Sequence, residues 1–122
     1  MTKDIKKSSG NLYEDLGYKN PEEMEARAVL VREIYKIITK KNLTQTEAAE
    51  LLDVPQSTVS KLMSGTVTGF STDRLLRFLK RLGVDVNINI KTSKRKQGEG
   101  RLSVSYSSSR HSVPIAAKGM NF

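Results

Sequence analysis

Apolar residues recur every third or fourth position from the stretch after Asn20 to Leu82, then every second position from Val84 to Ile90. The first period predicts amphipathic helices and the second a half-buried strand. Asn20-Pro21-Glu22-Glu23 has the composition of a helix start: an Asn N-cap, proline in the first position, and acids near the positive end of the dipole. The helix it opens is expected to reach about Lys41, with Leu30, Ile34, Ile37 and Ile38 as its buried stripe. Ala26, Arg27, Arg32, Glu33, Lys36 and Lys40 fall mainly outward, and Lys40, Lys41 and Asn42 close it.

Between Leu43 and Gly65 the pattern predicts two short helices and a tight turn. Thr44 is placed to cap the first, Gln45 to Leu52, and Glu47 three residues on completes a possible capping box. Asp53 and Val54 form the turn, Pro55 starts the next helix, and that helix stops near Met63 at Ser64-Gly65. Leu43, Ala49, Leu52, Val54, Val59 and Leu62 are spaced so that the two faces close on each other. Thr44, Gln45, Gln56, Ser57, Thr58, Ser60 and Lys61 are left facing solvent. This is the layout of a helix-turn-helix, whose second helix enters the DNA major groove while the first crosses the backbone. Ser71-Thr72-Asp73 opens a fourth helix with Leu75, Leu76, Phe78, Leu79 and Leu82 inward, ended by Gly83, and Phe70 plugs the loop before it.

The strand Val84–Ile90 needs a partner for its backbone groups. One candidate is the same strand of a second copy, antiparallel across a two-fold axis; the other is Leu102–Tyr106, reached through a long hairpin loop. The chain thus divides into an N-terminal arm (1–19), a DNA-binding domain with its strand (20–90) and a basic, Ser-rich tail (91–122) that is expected to be flexible. Within the arm, Leu12, Tyr13, Leu16 and Tyr18 form an apolar island of one helical turn, either a cap on the core or a patch for a partner.

The formal charge of +8 is unevenly placed: +2 up to Ile90 and +6 beyond. A basic tail favours polyanions regardless of sequence, so specificity must come from the helix-turn-helix. There is no cysteine, and the N-terminus has the form of neither a signal peptide nor a membrane span, which together suggest a cytoplasmic protein. His111 is the single histidine, so no nucleophilic triad, metal site or phosphate loop is expected, nor any cofactor or catalysis. Gln56 can pair with adenine through both amide atoms, and Lys61 can reach guanine or a phosphate. Ser57, Thr58 and Ser60 suit either role, while Thr44 and Gln45 can offer side-chain and backbone N–H groups to phosphate.

The run LTQ-x-EAAELL-x-V-x-QSTVSKL-x-x-G resembles the Cro/CI (XRE) helix-turn-helix family across roughly residues 31–82. Asp53 stands where that family usually has glycine, and Pro55 replaces its usual Ser or Thr cap. Over residues 10–90, GNLYEDLGY, NPEE and GFSTDRLLRFLKRLGVDVNI resemble the short antitoxins of the HigA type. The strand after the mainly α bundle is expected to pair in a homodimer, because the hairpin loop is longer than hairpins usually need, and the resemblance implies a Cro/CI-like bundle. It also implies a partner toxin of the HigB/RelE type, a ribosome-dependent mRNA nuclease, and repression of the shared promoter at a palindromic operator. A stand-alone XRE-type repressor with no toxin is the alternative, and a protein-interaction module a third.

Overall fold

The longest periodic segment becomes the longest helix, and the others pack around it. The structure, a computed structural model, describes residues 11–106. Its helices are α1 (Leu12–Asp15), α2 (Pro21–Lys40), α3 (Gln45–Leu52), α4 (Gln56–Met63) and α5 (Thr72–Arg81). α2 packs against α1, α4 and α5, and α3 crosses both α4 and α5. The expectations for residues 1–10, for His111 and for the tail past Tyr106 lie outside the described residues.

One core unites all of this. Ile34 and Ile38 of α2, Val59 and Leu62 of α4 and Leu75 of α5 are its largest fully buried side chains. Burying each contributes ~1.5–3 kcal/mol. Phe70 is buried as expected, edge-on to Phe78 at 6.2 Å between ring centroids. The Arg74 guanidinium lies 5.4 Å from each of those two rings.

The α2 stripe is wider than Leu30, Ile34, Ile37 and Ile38. Met24 and Val31 join the core, and Ile37 sits at its margin. Ala26 is buried rather than outward, one turn before Leu30 on the same edge of the helix. Arg27 is half-buried, its Nε donating to Thr72 Oγ1 at 3.3 Å and so tying α2 to the start of α5. Asn20 does occupy the N-cap position, but its side chain makes no cap bond; Asn20 Nδ2 donates to Glu23 Oε1 instead.

The helix stops are local and share one hydrogen-bond pattern. At the end of α3, Val54 N–H donates to Ala49 O at 3.0 Å and Asp53 N–H to Glu50 O at 3.2 Å, with Asp53 left-handed at φ 59°. That is a Schellman motif. α2 ends the same way, through Leu43 to Ile38 and Asn42 to Thr39, with Asn42 at φ 57°. Both positions use a short polar side chain where glycine is the usual residue, because Asn and Asp tolerate this conformation best among the rest. Arg81 Nε adds a bond to Leu51 O at 2.9 Å, satisfying a carbonyl at the end of α3.

After α5 the alternation of residues 84–90 is real but incomplete in its effect. Val84 and Val86 pack on the core, whereas Ile88 and Ile90 are 70% and 88% exposed. There is no strand among the described residues, and no ladder forms on the segment there. The hairpin alternative is overturned for a specific reason, since Leu102–Tyr106 is engaged elsewhere. Leu102 N–H donates to Glu22 Oε1 at 3.1 Å, Val104 packs on the core, and Tyr106 Oη accepts from Lys36 Nζ at 2.9 Å. These residues form a strap laid along α2.

Candidate nucleic-acid interface

Both helices of the motif begin at the same edge of the molecule. At α3, Thr44 Oγ1 accepts from Glu47 N–H at 3.0 Å, and Glu47 Oε1 accepts from Thr44 N–H at 2.8 Å. The capping box is therefore complete. It also corrects the role expected of Thr44: its backbone N–H is taken by Glu47, leaving the hydroxyl proton to donate. The N–H groups of Gln45 and Thr46, in the first turn, have no intrahelical acceptor and face the positive end of the dipole.

α4 starts without a side-chain cap. Pro55 occupies the N-cap position, just ahead of the helix rather than inside it, and Thr58 N–H donates to Pro55 O at 3.0 Å. The N–H groups of Gln56 and Ser57 are the orphan donors of this helix.

The phase of α4 sorts its polar residues. With Val59 and Leu62 inward, ~100° per residue places Ser57, Ser60, Lys61 and also Ser64 on the opposite face. Gln56, Ser57, Ser60 and Lys61 are exposed, but Thr58 is half-buried on one flank, not solvent-facing as expected. Gln45 is half-buried as well. Among the described residues no ion pair involves Lys61, which leaves its ammonium for an external anion.

Gln56 lies on the other flank, toward α3. The Thr46 hydroxyl donates to Gln56 Oε1 at 3.4 Å, across a groove of about 560 Å³ lined by Ala49, Glu50, Asp53, Val54 and Pro55. Sequence periodicity did not single out Thr46, because nothing in a 3.6-residue period links positions on two different helices. Ser64, a stop signal in the sequence, stands on the α4 face as well. Its Oγ donates to Lys61 O at 2.9 Å and lies 3.1 Å from Thr66 Oγ1.

The edge presents short hydroxyls, one or two amides, one lysine and uncapped N–H groups, with Glu50 and Asp53 in the groove. Such a surface suits base edges and individual phosphates rather than a bulk polyanion. Among the described residues no three His, Cys, Asp or Glu side chains are grouped as a metal site requires, and no helix is long and apolar enough to cross a membrane.

The profile of a family described as a helix-turn-helix domain matches residues 12–91. Among solved structures, a candidate XRE family transcriptional regulator is 32% identical, with 70% of this chain and 97% of that chain covered and a TM-score of 0.63. No curated protein matches the chain. Two short helices around a left-handed turn, the first closed by a capping box, a polar face on the second, and these two likenesses agree: the chain belongs to the XRE helix-turn-helix family of DNA-binding transcriptional regulators.

Proposed function

We propose that the protein is a sequence-specific repressor that binds a palindromic operator as a homodimer and acts as the antitoxin to a HigB/RelE-type toxin. The observation that carries the DNA-reading part is the α4 face, where Gln56, Ser57, Ser60 and Lys61 stand exposed beside orphan N–H groups. Gln56 reads adenine, Lys61 takes guanine or phosphate, and Ser57, Thr58 and Ser60 fill either role. Thr44 and Gln45 hold the backbone at the head of α3.

Homodimerisation is supported by residues 88–90, where Ile88 and Ile90 are exposed on a backbone that pairs with nothing among the described residues. Such an edge matches a second copy of itself across a two-fold axis. Two copies then place their α4 helices roughly one helical turn, ~34 Å, apart on DNA.

The toxin part rests on the resemblance of GNLYEDLGY and FSTDRLLRFLKRLGVDV to HigA-type antitoxins. In its favour, α1 leaves Leu12 60% and Leu16 63% exposed while Tyr13 turns into the molecule beside Tyr18, at 5.5 Å between rings. The apolar island is therefore only half used as a cap. A stand-alone XRE regulator is the second reading, favoured by the solved relative covered over 97% of its length.

Two experiments separate these readings. A gel shift on the gene's own upstream DNA tests repression. Co-expression with the product of the adjacent reading frame, followed by co-purification and a growth-rescue assay, tests the antitoxin role. Binding to DNA without capture or rescue would leave the stand-alone repressor.

A further inference from the structure

The strap along α2 turns what reads as a basic tail into a closed loop. Val84 and Val86 fix one end on the core; Leu102, Val104 and Tyr106 fix the other on α2. Between the anchors, Lys91, Lys94, Arg95, Lys96 and Arg101 are all exposed, against the single acid Glu99. The loop has an ordered apex. Glu99 N–H donates to Lys96 O at 3.0 Å, Gly98 takes φ +84°, and Arg95 N–H donates to Ser93 Oγ at 3.3 Å. Lys94, Arg95 and Lys96 lead consecutively into this turn, all three exposed.

We infer that the loop of residues 91–101 is a second nucleic-acid contact, one that grips the phosphate backbone of duplex DNA independently of the base-reading face of α4. Charge is the first argument: five of these eleven residues are Lys or Arg against one acid, whereas the α4 edge supplies Lys61 alone. Reach is the second. A loop of residues 87–101, doubled back, extends at most roughly 25 Å from its anchors, whereas packed helix axes lie about 8–10 Å apart. The loop on α2 can therefore pass beyond α4 to a duplex docked there. Closure is the third: a loop held at both ends loses less conformational freedom on binding than a free tail carrying the same charges. The inference rests on the chain's being a DNA-binding protein, not on which bases Gln56 reads.

The full chain with Lys91, Lys94, Arg95, Lys96 and Arg101 all changed to glutamine keeps length, strap and α4 intact. Its binding to a random-sequence 20-base-pair duplex is measured by fluorescence anisotropy from 50 to 300 mM salt, beside the wild type. Each phosphate neutralised contributes ~0.9 to the slope of log K against log salt. The slope is expected to fall in magnitude by about 2–4, with at least a tenfold weaker affinity at the lowest salt. Tyr106→Ala, which keeps every loop charge but releases one anchor, is expected to weaken binding a few-fold.

An unchanged slope in the five-residue variant would overturn the inference. So would duplex binding like wild type with loss of binding to a poly-glutamate probe, since the loop would then face an acidic protein. Wild-type affinity in Tyr106→Ala would overturn the closed loop as the device. A slope that falls as expected, in a protein whose wild type prefers no duplex over another, would count against the reading of α4 and leave the loop contact standing.

Discussion

Thr46 on α3 and Gln56 on α4 meet through their side chains, the Thr46 hydroxyl standing 3.4 Å from Gln56 Oε1. Oε1 keeps a second lone pair, and Nε2 remains free to donate. An amide so turned matches adenine, which offers an N6–H donor to Oε1 and an N7 acceptor to Nε2. In the free protein water competes for a contact this long; a docked duplex excludes that water and strengthens it. Thr46→Val is therefore expected to relax adenine preference about 2–10-fold at the position Gln56 contacts, with Thr46→Ser restoring it. Selection from a random duplex pool reads this directly, and a preference unchanged in Thr46→Val would remove Thr46 from the recognition network.

The capping box predicts a stability effect at the same edge. Thr44→Ala removes the acceptor for Glu47 N–H, and loss of such a cap costs about 1 kcal/mol. Urea denaturation should show the midpoint lowered with its slope unchanged. Glu47→Ala should lose less, since Thr44 N–H lies at an exposed residue that water can reach.

Ile88 and Ile90 test the dimer. Changing both to aspartate leaves the core untouched because neither packs on it. The expected outcome in sedimentation is a monomer of wild-type helix content. A dimer of unaltered stability would place the interface elsewhere.

Alkaline pH tests the strap. The hydrogen bond to Tyr106, the largest cause, raises the Lys36 ammonium above its ordinary value of 10.5. Burial, with Glu25 and Tyr18 nearby, likewise raises the Tyr13 phenol above 10.0. A group bound more tightly to its proton when folded contributes stability that is full below its unfolded value and lost as pH rises through the folded one. Thermal unfolding should therefore be insensitive to these groups from neutrality to about pH 9.5 and fall above it. Tyr106→Phe should flatten part of that fall, whereas an identical alkaline limb would show that the Tyr106 hydroxyl does not hold the strap in solution.

Legibility in the sequence followed how local the physics was. Thr44, Glu47, Asn42, Asp53 and Gly83 act within a few residues of themselves, so the helix boundaries could be read from one chain. Val59 and Leu62 set the phase of α4 and so most of its outward residues. Ala26 and Thr58 were misplaced because an edge position is decided by what packs beside it. The strap could not be seen at all: Leu102 to Glu22 and Tyr106 to Lys36 join residues far apart in the chain, and a period-2 run says that a segment is extended without naming its neighbour. Thr46 escaped for the same reason.

Whether the α4 face reads sequence is decided by Gln56→Ala. Affinity is measured for the duplex selected by the wild-type protein and for a scrambled duplex of equal length, with helix content and oligomeric state checked. A bidentate base contact is worth ~1–3 kcal/mol of discrimination. A loss of about 5–150-fold on the selected duplex, with no change on the scrambled one, is expected. Equal affinity of variant and wild type for the selected duplex would contradict sequence reading by α4.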